Sequence, residues 1–508
     1  MIGENHTEEC IFNSLGSKFE AKSLNIEEDI LNHLETKGIL RSDIRLKDSI
    51  VKIKNESKGN RISKENFINL ITENSFLQRS LAGDLVIPDW KNFKESIINL
   101  YKKTLDNTKG ELADYIPQLA RIDPEIYNIS VCTVDGQQFS YGNAINEKFC
   151  VQSTTKPINY CIASDNLGEE VVHNHVGREP SGRSFNEMAL NQDGLPHNPM
   201  INSGAIMCAS LIENKRNIAD RFDCIMDTWT TLTGGNRPQF NNSVYLSERQ
   251  TADRNFALAY FMKENNAFPE NTNIIETLEL YFQCCSIELT SKDMAIVAST
   301  LANGGRNPLT NKKVFSSQTT KNCLSLMNSC GMYDFSGEFS FKIGLPAKSG
   351  VSGAIFLVIP NVMGICIWSP KLDKHGNSVR GVEFCKEFSK IYNFHSFDSL
   401  IFSNSKSDPR KTKFESKFHN TVNLIWAASK GDLNEIKYLE SRGVSLNEAD
   451  YDGRTALHLA AAEGHFETVQ YLLNKHAKTD CIDRFGTTPL QEAEKGGFQK
   501  IINLFKSK

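Results

Sequence analysis

The sequence lacks any hydrophobic run that is long enough to cross a lipid bilayer. Its most apolar stretch, Gly353–Trp368, is shorter than the roughly 20 residues that a spanning helix needs, and Pro360-Asn361 interrupts it. A surplus of positive charge is also missing, because 57 Lys and Arg are balanced by 61 Asp and Glu, for a net charge of -4. We therefore predict no membrane segment and no nucleic-acid partner.

The cysteines lack the paired spacing that disulfide and zinc frameworks show. There are 13 of them, an odd number, and no two are arranged as Cys-x-x-Cys. No secretory signal precedes them, which predicts reduced thiols in an intracellular protein. The N-terminus is not rich in arginine, and it carries Glu4, Glu8 and Glu9, so it does not look like a mitochondrial transit peptide.

The histidines do not form a metal site either. His173 and His175 are two residues apart, so on a helix they would not share a face, and no third ligand is near them in sequence. We predict that both are structural and that the protein binds no metal.

The length and composition predict several soluble domains. A chain of 508 residues with 40% apolar and 23% charged residues suits two to four globular domains. The loop near Asn55–Asn66 has the length of a calcium loop, but it lacks acidic ligands and contains Lys58 and Arg61. The predicted order is a flexible N-terminus over 1–23, a helical, EF-hand-like domain without calcium over 24–109, a central domain over 110–400, a linker over 401–418, and a repeat domain over 419–508.

The repeat domain is predicted from an ankyrin pattern. Asp452–Ala461 contains Thr-x-Leu-His-x-Ala, and Phe485–Ala493 is a degenerate second copy. Gly453 and Gly486 are 33 residues apart, which is the ankyrin period, and Leu424–Asp432 is an earlier, truncated copy. Because ankyrin repeats bind partners on a concave face, we predict a protein partner there. His458, inside the motif, is interpreted as structural, with its imidazole bonded to turn backbone.

The motif that carries chemistry is Ser-x-x-Lys, at Ser153 and Lys156. If a helix starts here, the hydroxyl and the amine lie on one face. A serine is a poor nucleophile until a neighbouring base takes its proton, and a lysine becomes that base when burial or positive neighbours lower its pKa. The motif alone is weak, and a polar helix start is the simpler reading. Its weight increases because Lys348-Ser349-Gly350 precedes a hydrophobic hairpin, as Lys-Thr-Gly does in penicillin-binding enzymes and serine β-lactamases.

The strand and helix patterns predict an α+β fold. Ile129–Tyr141 and Ala354–Trp368 read as two hairpins, with turns at Asp135-Gly136 and Pro360-Asn361. Between them the segments are mostly helical. We expect an antiparallel sheet packed by a helical region, with Ser153 starting a helix after the first hairpin and Lys348 entering the second.

The ordered motifs of the chain resemble the animal kidney- and liver-type glutaminases over roughly residues 25–508. The motifs that carry this resemblance are Ala113–Ala120, Val151–Pro157, His197–Asn202, Asp253–Ala257, Met332–Gly337, Gly344–Val351 and the ankyrin tail. The resemblance implies a serine β-lactamase-like catalytic domain and the hydrolysis of L-glutamine to L-glutamate and ammonia. It also implies a homotetramer activated by phosphate, with no cofactor, and a mitochondrial location. The missing transit peptide leaves a cytosolic form as the alternative.

The same resemblance implies roles for individual residues. Ser153 would be the nucleophile and Lys156 its base, while Tyr333 would help the proton move, with Tyr281 beside it. The N–H groups of Ser153 and Val351 would form the oxyanion hole. The residues that would hold glutamine are Tyr115, Gln152, Asn202, Glu248, Asn255 and Tyr281. Glu248 would take the α-ammonium group, and Asn202 and Asn255 would donate amides to the α-carboxylate.

The chain also departs from the patterns it resembles. The Ser-Asp-Asn motif of β-lactamases has no plain counterpart. The loop over 182–190 resembles a mobile loop near the family's subunit interface, but Met188-Ala189-Leu190 is less bulky and less aromatic than vertebrate members lead us to expect. Two other functions stay open on residues alone, namely another serine acyl-transferase, such as a β-lactam or peptide amidase, and a catalytically silent ankyrin scaffold.

Overall fold

The computed structural model describes residues 5–16, 22–57, 59–182, 187–400, 406–411, 413–441 and 444–507. These residues form two compact units. The first comprises residues 1–390 with 394–396, and the second comprises 391–393 with 397–508. The predicted α+β class is confirmed, because helices and antiparallel strands are combined in the first unit and helices alone form the repeat region of the second.

The N-terminal region of the first unit is mainly helical. Its elements are α1 Asn5–Leu15, β1 Ser23–Asn25, α2 Asn32–Thr36, α3 Lys47–Glu56, β2 Arg61–Ser63, α4 Lys64–Glu73, α5 Ser75–Ala82 and α6 Trp90–Thr104. Ser63 caps α4, since its hydroxyl accepts from the Asn66 N–H at 3.3 Å. The short antiparallel pair β1–β2 was not predicted from sequence.

Helix α1 corrects the prediction of a flexible segment over 1–23. Its apolar residues Ile11, Phe12 and Leu15 lie on one face and are buried. The ring of Phe12 packs edge-on against Phe67, with 5.5 Å between the ring centroids. Burial of this apolar face stabilises the helix. Residues 1–4 and 17–21 of the predicted flexible segment lie outside the described residues.

The N-terminal region holds the turn of the first predicted hairpin. The buried side chain of Gln137 accepts from the Ile87 N–H at 3.0 Å and donates to the Lys37 carbonyl at 2.8 Å. Arg45 donates to the carbonyl of Asp135 at 2.8 Å. Because these groups lose water on burial, each needs the partner that the other region supplies. The N-terminal helices are therefore joined to the sheet by buried polar contacts.

Two antiparallel sheets form the strand part of the central region. The strands are β3 Asn128–Thr133, β4 Gln138–Gly142, β5 Lys148–Cys150, β6 Gln239–Phe240, β7 Ile287–Thr290, β8 Ala347–Ser349, β9 Ala354–Ile359 and β10 Met363–Trp368. The larger sheet has the order β4-β3-β10-β9-β8, and the smaller one has the order β5-β7-β6. Both predicted hairpins are present. The smaller sheet was not predicted from sequence, and its strand β5 separates the first hairpin from Ser153.

Helices fill most of the remaining central region. They are α7 Pro117–Ala120, α8 Lys156–Leu167, α9 Glu169–His173, α10 Asn202–Leu211, α11 Ile218–Leu232, α12 Asn242–Gln250, α13 Asp253–Glu264, α14 Ile274–Cys285, α15 Ser291–Ala302, α16 Ser317–Cys330, α17 Ser336–Lys342 and α18 Val379–Ile391. Helix α15 packs on the larger sheet, where a Cβ on Gly364 would lie 2.2 Å from the Ser299 nitrogen. Only glycine permits that approach, which brings the helical layer onto β10.

The ankyrin pattern folds as successive helix pairs. The helices are α19 Lys413–Lys430, α20 Leu433–Ser441, α21 Ala456–Ala462, α22 Phe466–Asn474, α23 Pro489–Lys495 and α24 Gln499–Lys506. Thr455 and Thr488 begin α21 and α23 with capping boxes. His458 accepts from the Thr455 N–H at 3.1 Å and contacts the Thr487 carbonyl at 3.2 Å, as predicted for a structural histidine.

Two predicted segments are only partly covered by the described residues. Of the predicted linker over 401–418, residues 401–405 and 412 lie outside them, and α19 already begins at Lys413. Of the loop over 182–190, residues 183–186 lie outside them.

Candidate active site

The candidate nucleophile lies in a tight turn between the smaller sheet and a buried helix. Strand β5 ends at Cys150, residues Gln152–Thr155 form a short 3-10 helix, and α8 follows. The carbonyl of Val151 accepts from the Thr154 N–H at 2.9 Å and from its hydroxyl at 2.5 Å. Gln152 has a φ of +49°, which non-glycine residues rarely adopt and which costs on the order of 1–3 kcal/mol. The backbone strain lies at Gln152, directly before Ser153, and the hydrogen bonds to Val151 support the turn.

Lys156 follows this turn as the first residue of α8 and is fully buried. Its Nζ donates a hydrogen bond of 2.7 Å to Oδ1 of Asn202. Burial disfavours the charged amine and lowers the pKa of Lys156 to about 8. A substantial fraction of the side chain is thus neutral near physiological pH, which is the state that a proton acceptor requires.

Tyr333 faces the same serine from a second short 3-10 helix, Tyr333–Phe335. It also has a left-handed backbone, with a φ of +52°. Burial raises the pKa of the tyrosine above its ordinary value, and the Ser153 side chain beside its phenol opposes part of that increase. Gln152 directly precedes Ser153 in the chain, and Tyr333 reaches the serine from a distant segment. Both residues have a left-handed backbone, as strained residues at functional sites often do.

Lys348 on β8 brings the edge of the larger sheet to this group. It is fully buried, and its Nζ donates to the Ser349 carbonyl at 2.8 Å. Burial, together with the like charge of Lys156, lowers the pKa of Lys348 well below its ordinary value. The Lys-Ser-Gly motif and the Ser-x-x-Lys motif therefore meet, as the sequence predicted.

The turn after β8 lies directly against the serine turn. A Cβ on Gly350 would lie 3.1 Å from the Val151 carbonyl oxygen and 3.1 Å from Cγ2 of Thr154. Within the described part of the chain, neither the Ser153 N–H nor the Val351 N–H donates to another group. Two such backbone donors close to a nucleophile form the arrangement that stabilises a tetrahedral oxyanion.

A buried carboxylate forms the next part of the site. Oε1 of Glu248, on α12, accepts from the Tyr115 hydroxyl at 2.6 Å and from Nε2 of Gln152 at 2.9 Å. Burial raises the pKa of Glu248, and these two hydrogen bonds oppose the increase. Tyr115 leaves 44% of its surface exposed, yet burial of its hydroxyl end and the nearby Glu248 raise its pKa well above the usual value. An enclosed carboxylate of this kind favours a cationic ligand.

Two asparagines connect Lys156 to helix α13. Nδ2 of Asn202, the first residue of α10, donates to Oδ1 of Asn255 at 3.2 Å. Since Oδ1 of Asn202 accepts from Lys156, its amide oxygen is directed at the base. This contact adds to the role predicted from sequence, in which Asn202 serves only the substrate.

Tyr281 lies deep in the site on α14, and burial raises its pKa well above the ordinary value. The thiol of Cys285 interacts electrostatically with Tyr281, Lys156 and Glu248. Sequence reasoning missed Cys285. The signal was present, because Tyr281 and Cys285 are four residues apart on one helix and so share a face.

The arrangement suits acyl transfer by a serine. It combines a serine, a neutral amine beside it, two unoccupied backbone donors and a carboxylate pocket for a cation. All ten residues predicted for the site, from Tyr115 to Val351, come from segments that meet in this part of the first unit. Among the described residues no cluster of three or more metal-ligating side chains occurs, and no helix is both long and apolar enough to cross a bilayer.

Comparison with protein families gives three matches along the chain. The glutaminase family model matches residues 110–397, the ankyrin-repeat model (three copies) matches residues 423–508, and an EF-hand domain model matches residues 7–88. The first of these spans more than half of the chain and contains every residue of the candidate site.

Individual relatives and a solved structure agree with the family match. The chain is 46% identical over 482 residues to "Putative glutaminase 2" of Caenorhabditis elegans, covering 92% of this chain and 79% of the relative. It is 41% identical over 479 residues to "Glutaminase liver isoform, mitochondrial" of Mus musculus, covering 93% and 79%. The solved structure of the probable glutaminase ybaS superposes with a TM-score of 0.56 at 33% identity, covering 58% of this chain and 95% of that one.

Proposed function

The chain belongs to the glutaminase family and hydrolyses glutamine to glutamate and ammonia, and we propose that it does so through an acyl-enzyme on Ser153, with Lys156 as the base. The observation that carries this mechanism is the buried position of Lys156 one helical turn after Ser153, with a pKa of about 8. A lysine in water titrates at about 10.4, so hardly any of it would be neutral at pH 7.

Acylation starts with a proton transfer. Neutral Lys156 takes the proton of the Ser153 hydroxyl as Oγ attacks the side-chain amide carbon of glutamine. Oxygen then carries the negative charge, and the N–H groups of Ser153 and Val351 donate to it. The intermediate collapses when the amide nitrogen receives a proton from Lys156, with the Tyr333 hydroxyl at hand to relay it. Ammonia leaves, and a glutamyl ester remains on Ser153.

Deacylation repeats these roles with water. Lys156 takes a proton from the water that attacks the ester carbonyl, and the oxyanion again lies at the two backbone donors. Return of the proton to Ser153 Oγ breaks the ester bond and releases glutamate. The phenol of Tyr333, which lies beside Ser153, keeps the serine in place between the two half-reactions.

The amino-acid end of glutamine is held by the polar groups around Glu248. The α-ammonium group pairs with this carboxylate, whose Oε1 is already oriented by Tyr115 and Gln152. The amide groups of Asn202 and Asn255 donate to the α-carboxylate, and Tyr281 closes the pocket. A β-lactam or peptide substrate would not need this combination of a carboxylate and two amides, which binds a free α-ammonium and α-carboxylate.

The covalent intermediate tests the mechanism directly. Rapid acid quenching of the enzyme during glutamine turnover should trap one glutamyl group on the peptide that contains Ser153, detected by mass spectrometry. The matched Ser153→Ala protein should give no adduct. An adduct on another residue would contradict the acyl-enzyme on Ser153. So would the absence of any adduct under conditions in which deacylation is the slow step.

Assembly and regulation are proposed on the family resemblance. We propose a homotetramer that phosphate activates, with no further cofactor. Sedimentation velocity and glutamine turnover, each measured with and without phosphate and with sulfate as the matched control, would test both parts. A monomer whose activity does not respond to phosphate would remove this proposal and leave the chemistry of the site unaffected.

The compartment and the ankyrin partner are also proposals. The mouse relative is described as mitochondrial, which supports a mitochondrial location, and a cytosolic form is the alternative. Imaging of the full-length protein with a C-terminal tag distinguishes the two. The ankyrin repeats support binding of a protein partner on their concave face.

A further inference from the structure

The hydrogen bonds around Lys156 have a fixed direction. The amine of Lys156 donates to Oδ1 of Asn202 at 2.7 Å, so the amide of Asn202 must turn its nitrogen the other way. That nitrogen donates to Oδ1 of Asn255 at 3.2 Å. Asn255 in turn presents its own amide nitrogen on the side away from Asn202. The hydrogen bonds thus form a chain that runs in one direction, from the amine of Lys156 through Asn202 to Asn255.

This chain also determines where the lone pair of Lys156 points. A neutral amine has two hydrogens and one lone pair. When one hydrogen is held by Asn202, rotation about the last side-chain bond is restricted, and the lone pair remains for the proton of Ser153. After proton transfer, Oδ1 of Asn202 still accepts from the ammonium group, now in a charge-assisted hydrogen bond.

The helix start that carries Asn202 is firmly held. A Cβ on Gly204 would lie 1.9 Å from the Asn198 carbonyl oxygen, so only glycine allows α10 to begin this close to the preceding loop. The side chain of Asn198 is itself buried, accepting from the Met200 N–H at 2.9 Å and donating to the Glu179 carbonyl at 2.9 Å. A rigid support of this kind fixes the acceptor that Lys156 uses.

We propose that Asn202 is a positioning residue for the base, and that the Asn255–Asn202 pair joins recognition of the substrate's α-carboxylate to the orientation of the Lys156 amine. This inference rests on the proposed roles of Ser153 and Lys156. It explains why Asn202 contacts both Lys156 and the side-chain amide of Asn255. It also gives Asn202 a position next to the base. The sequence motifs had left that position unassigned, because the Ser-Asp-Asn motif has no plain counterpart in this chain.

The first test is the pH dependence of turnover in two variants. Asn202→Asp keeps an acceptor oxygen but places a negative charge beside Lys156, so the rise of kcat with pH should move up by about one pH unit or more. Asn202→Ala removes the acceptor, so the rise should move to lower pH and kcat should fall at least about ten-fold. Cys285 on α14 acts on the pKa of Lys156, and Lys156 acts on that of Lys348 on β8; both variants leave these titratable groups unchanged.

The second test is a substrate analogue, 4-aminobutanamide, which is glutamine without its α-carboxylate. Its affinity is read from its inhibition of glutamine hydrolysis, and its kcat from ammonia release. The wild-type kcat should be at least about ten-fold lower than for glutamine, and Asn255→Ala, which leaves the Lys156–Asn202 contact intact, should bring the two kcat values together.

The outcomes separate this inference from the mechanism on which it rests. If both Asn202 variants keep the wild-type kcat and pH profile and change only KM, Asn202 does not position the base. If the analogue reaches the kcat of glutamine in the wild type, the coupling to the carboxylate is absent. If Lys156→Arg retains normal turnover, the base assignment itself is wrong, and this inference falls with it.

Discussion

The amine nitrogen of Lys348 lies 4.5 Å from the centroid of the Tyr333 ring. Both side chains are buried beside the serine, and the like charge of Lys156 adds to the burial that lowers the pKa of Lys348. Two amines so placed do not both hold a proton at neutral pH without a large cost. The site thus contains a second buried lysine that is driven toward its neutral form.

Replacement of Lys348 should show whether its amine is neutral in the folded protein. Lys348→Met keeps an unbranched apolar stem, so it should fold with a free energy of unfolding within about 1.5 kcal/mol of the wild type. Lys348→Arg buries a charge that cannot be lost and should lower that free energy by about 3 kcal/mol or more. Urea unfolding measures both. In the Met variant the pH at which turnover rises should stay close to the wild-type value, because a neutral Lys348 exerts no like charge on Lys156. An Arg variant as stable as the Met variant would contradict the neutral state of Lys348.

The pH profile of turnover should follow Lys156. Its folded pKa is lowered to about 8, and the neutral form is the active one, so kcat should rise as the pH increases through that value. Lys156→Arg keeps a charge that cannot be lost and should reduce kcat by at least about three orders of magnitude. Ser153→Ala should reach the same floor, and the double variant should lose little more, since the two residues act as a unit. Steady-state ammonia release with a circular-dichroism check of folding measures all three. A folded Arg variant with normal kcat would shift suspicion to Tyr333 or Tyr281.

The charge of Glu248 should determine the affinity for glutamine. Glu248→Gln keeps the shape but turns a charge-assisted hydrogen bond into a neutral one, so kcat/KM should fall at least about five-fold. Burial raises the pKa of Glu248, so the wild-type KM should also increase as the pH falls and the carboxylate takes a proton, and this increase should be absent in the Gln variant. Tyr115→Phe is the matched control, because it removes one donor to Oε1 and keeps the charge. Equal kcat/KM for Glu248→Gln and the wild type at every pH would mean that this carboxylate does not contact the substrate.

The catalytic chemistry should survive removal of the ankyrin repeats. Every residue of the candidate site lies in the first compact unit, and the repeats have their own hydrophobic core. A chain that ends at Asn404 should therefore keep a kcat within a few-fold of the full chain at saturating phosphate. Comparison of the two purified proteins at equal subunit concentration measures this. A truncated protein that is folded and completely inactive would show that the repeats are required for the reaction.

The elements that the sequence predicted well have strong local patterns. The hairpin of β9 and β10 is an example, because two apolar runs flank the turn at Pro360-Asn361. The ankyrin helices follow from a repeated motif with a regular period. In contrast, β6 consists of Gln239–Phe240, two exposed residues with no alternation, and it exists only because β7 offers an edge to pair with. The polarity of the N-terminus likewise concealed the apolar face of α1.

The candidate site was predictable to the extent that its residues form short motifs. Ser153 and Lys156 share one helical turn, and Lys348-Ser349-Gly350 precedes a recognisable strand. The pocket residues were assigned through resemblance alone, because Tyr115 and Glu248 are 133 positions apart and no local pattern links them. The contact between Lys156 and Asn202, 46 positions apart, was not foreseen at all.

The order of residues along the chain was enough to predict the candidate nucleophile and base, the strand that brings Lys348 and the repeat at the C-terminus. These features depend on periodicity and spacing, which act over a few residues. Only the tertiary structure decided the chemical state of the site. The pKa of Lys156 falls because helices and strands from distant parts of the chain exclude water from its amine, and the hydrogen bond to Asn202 gives that amine a direction. Burial and orientation are properties of the assembled fold, so no stretch of sequence carries them by itself.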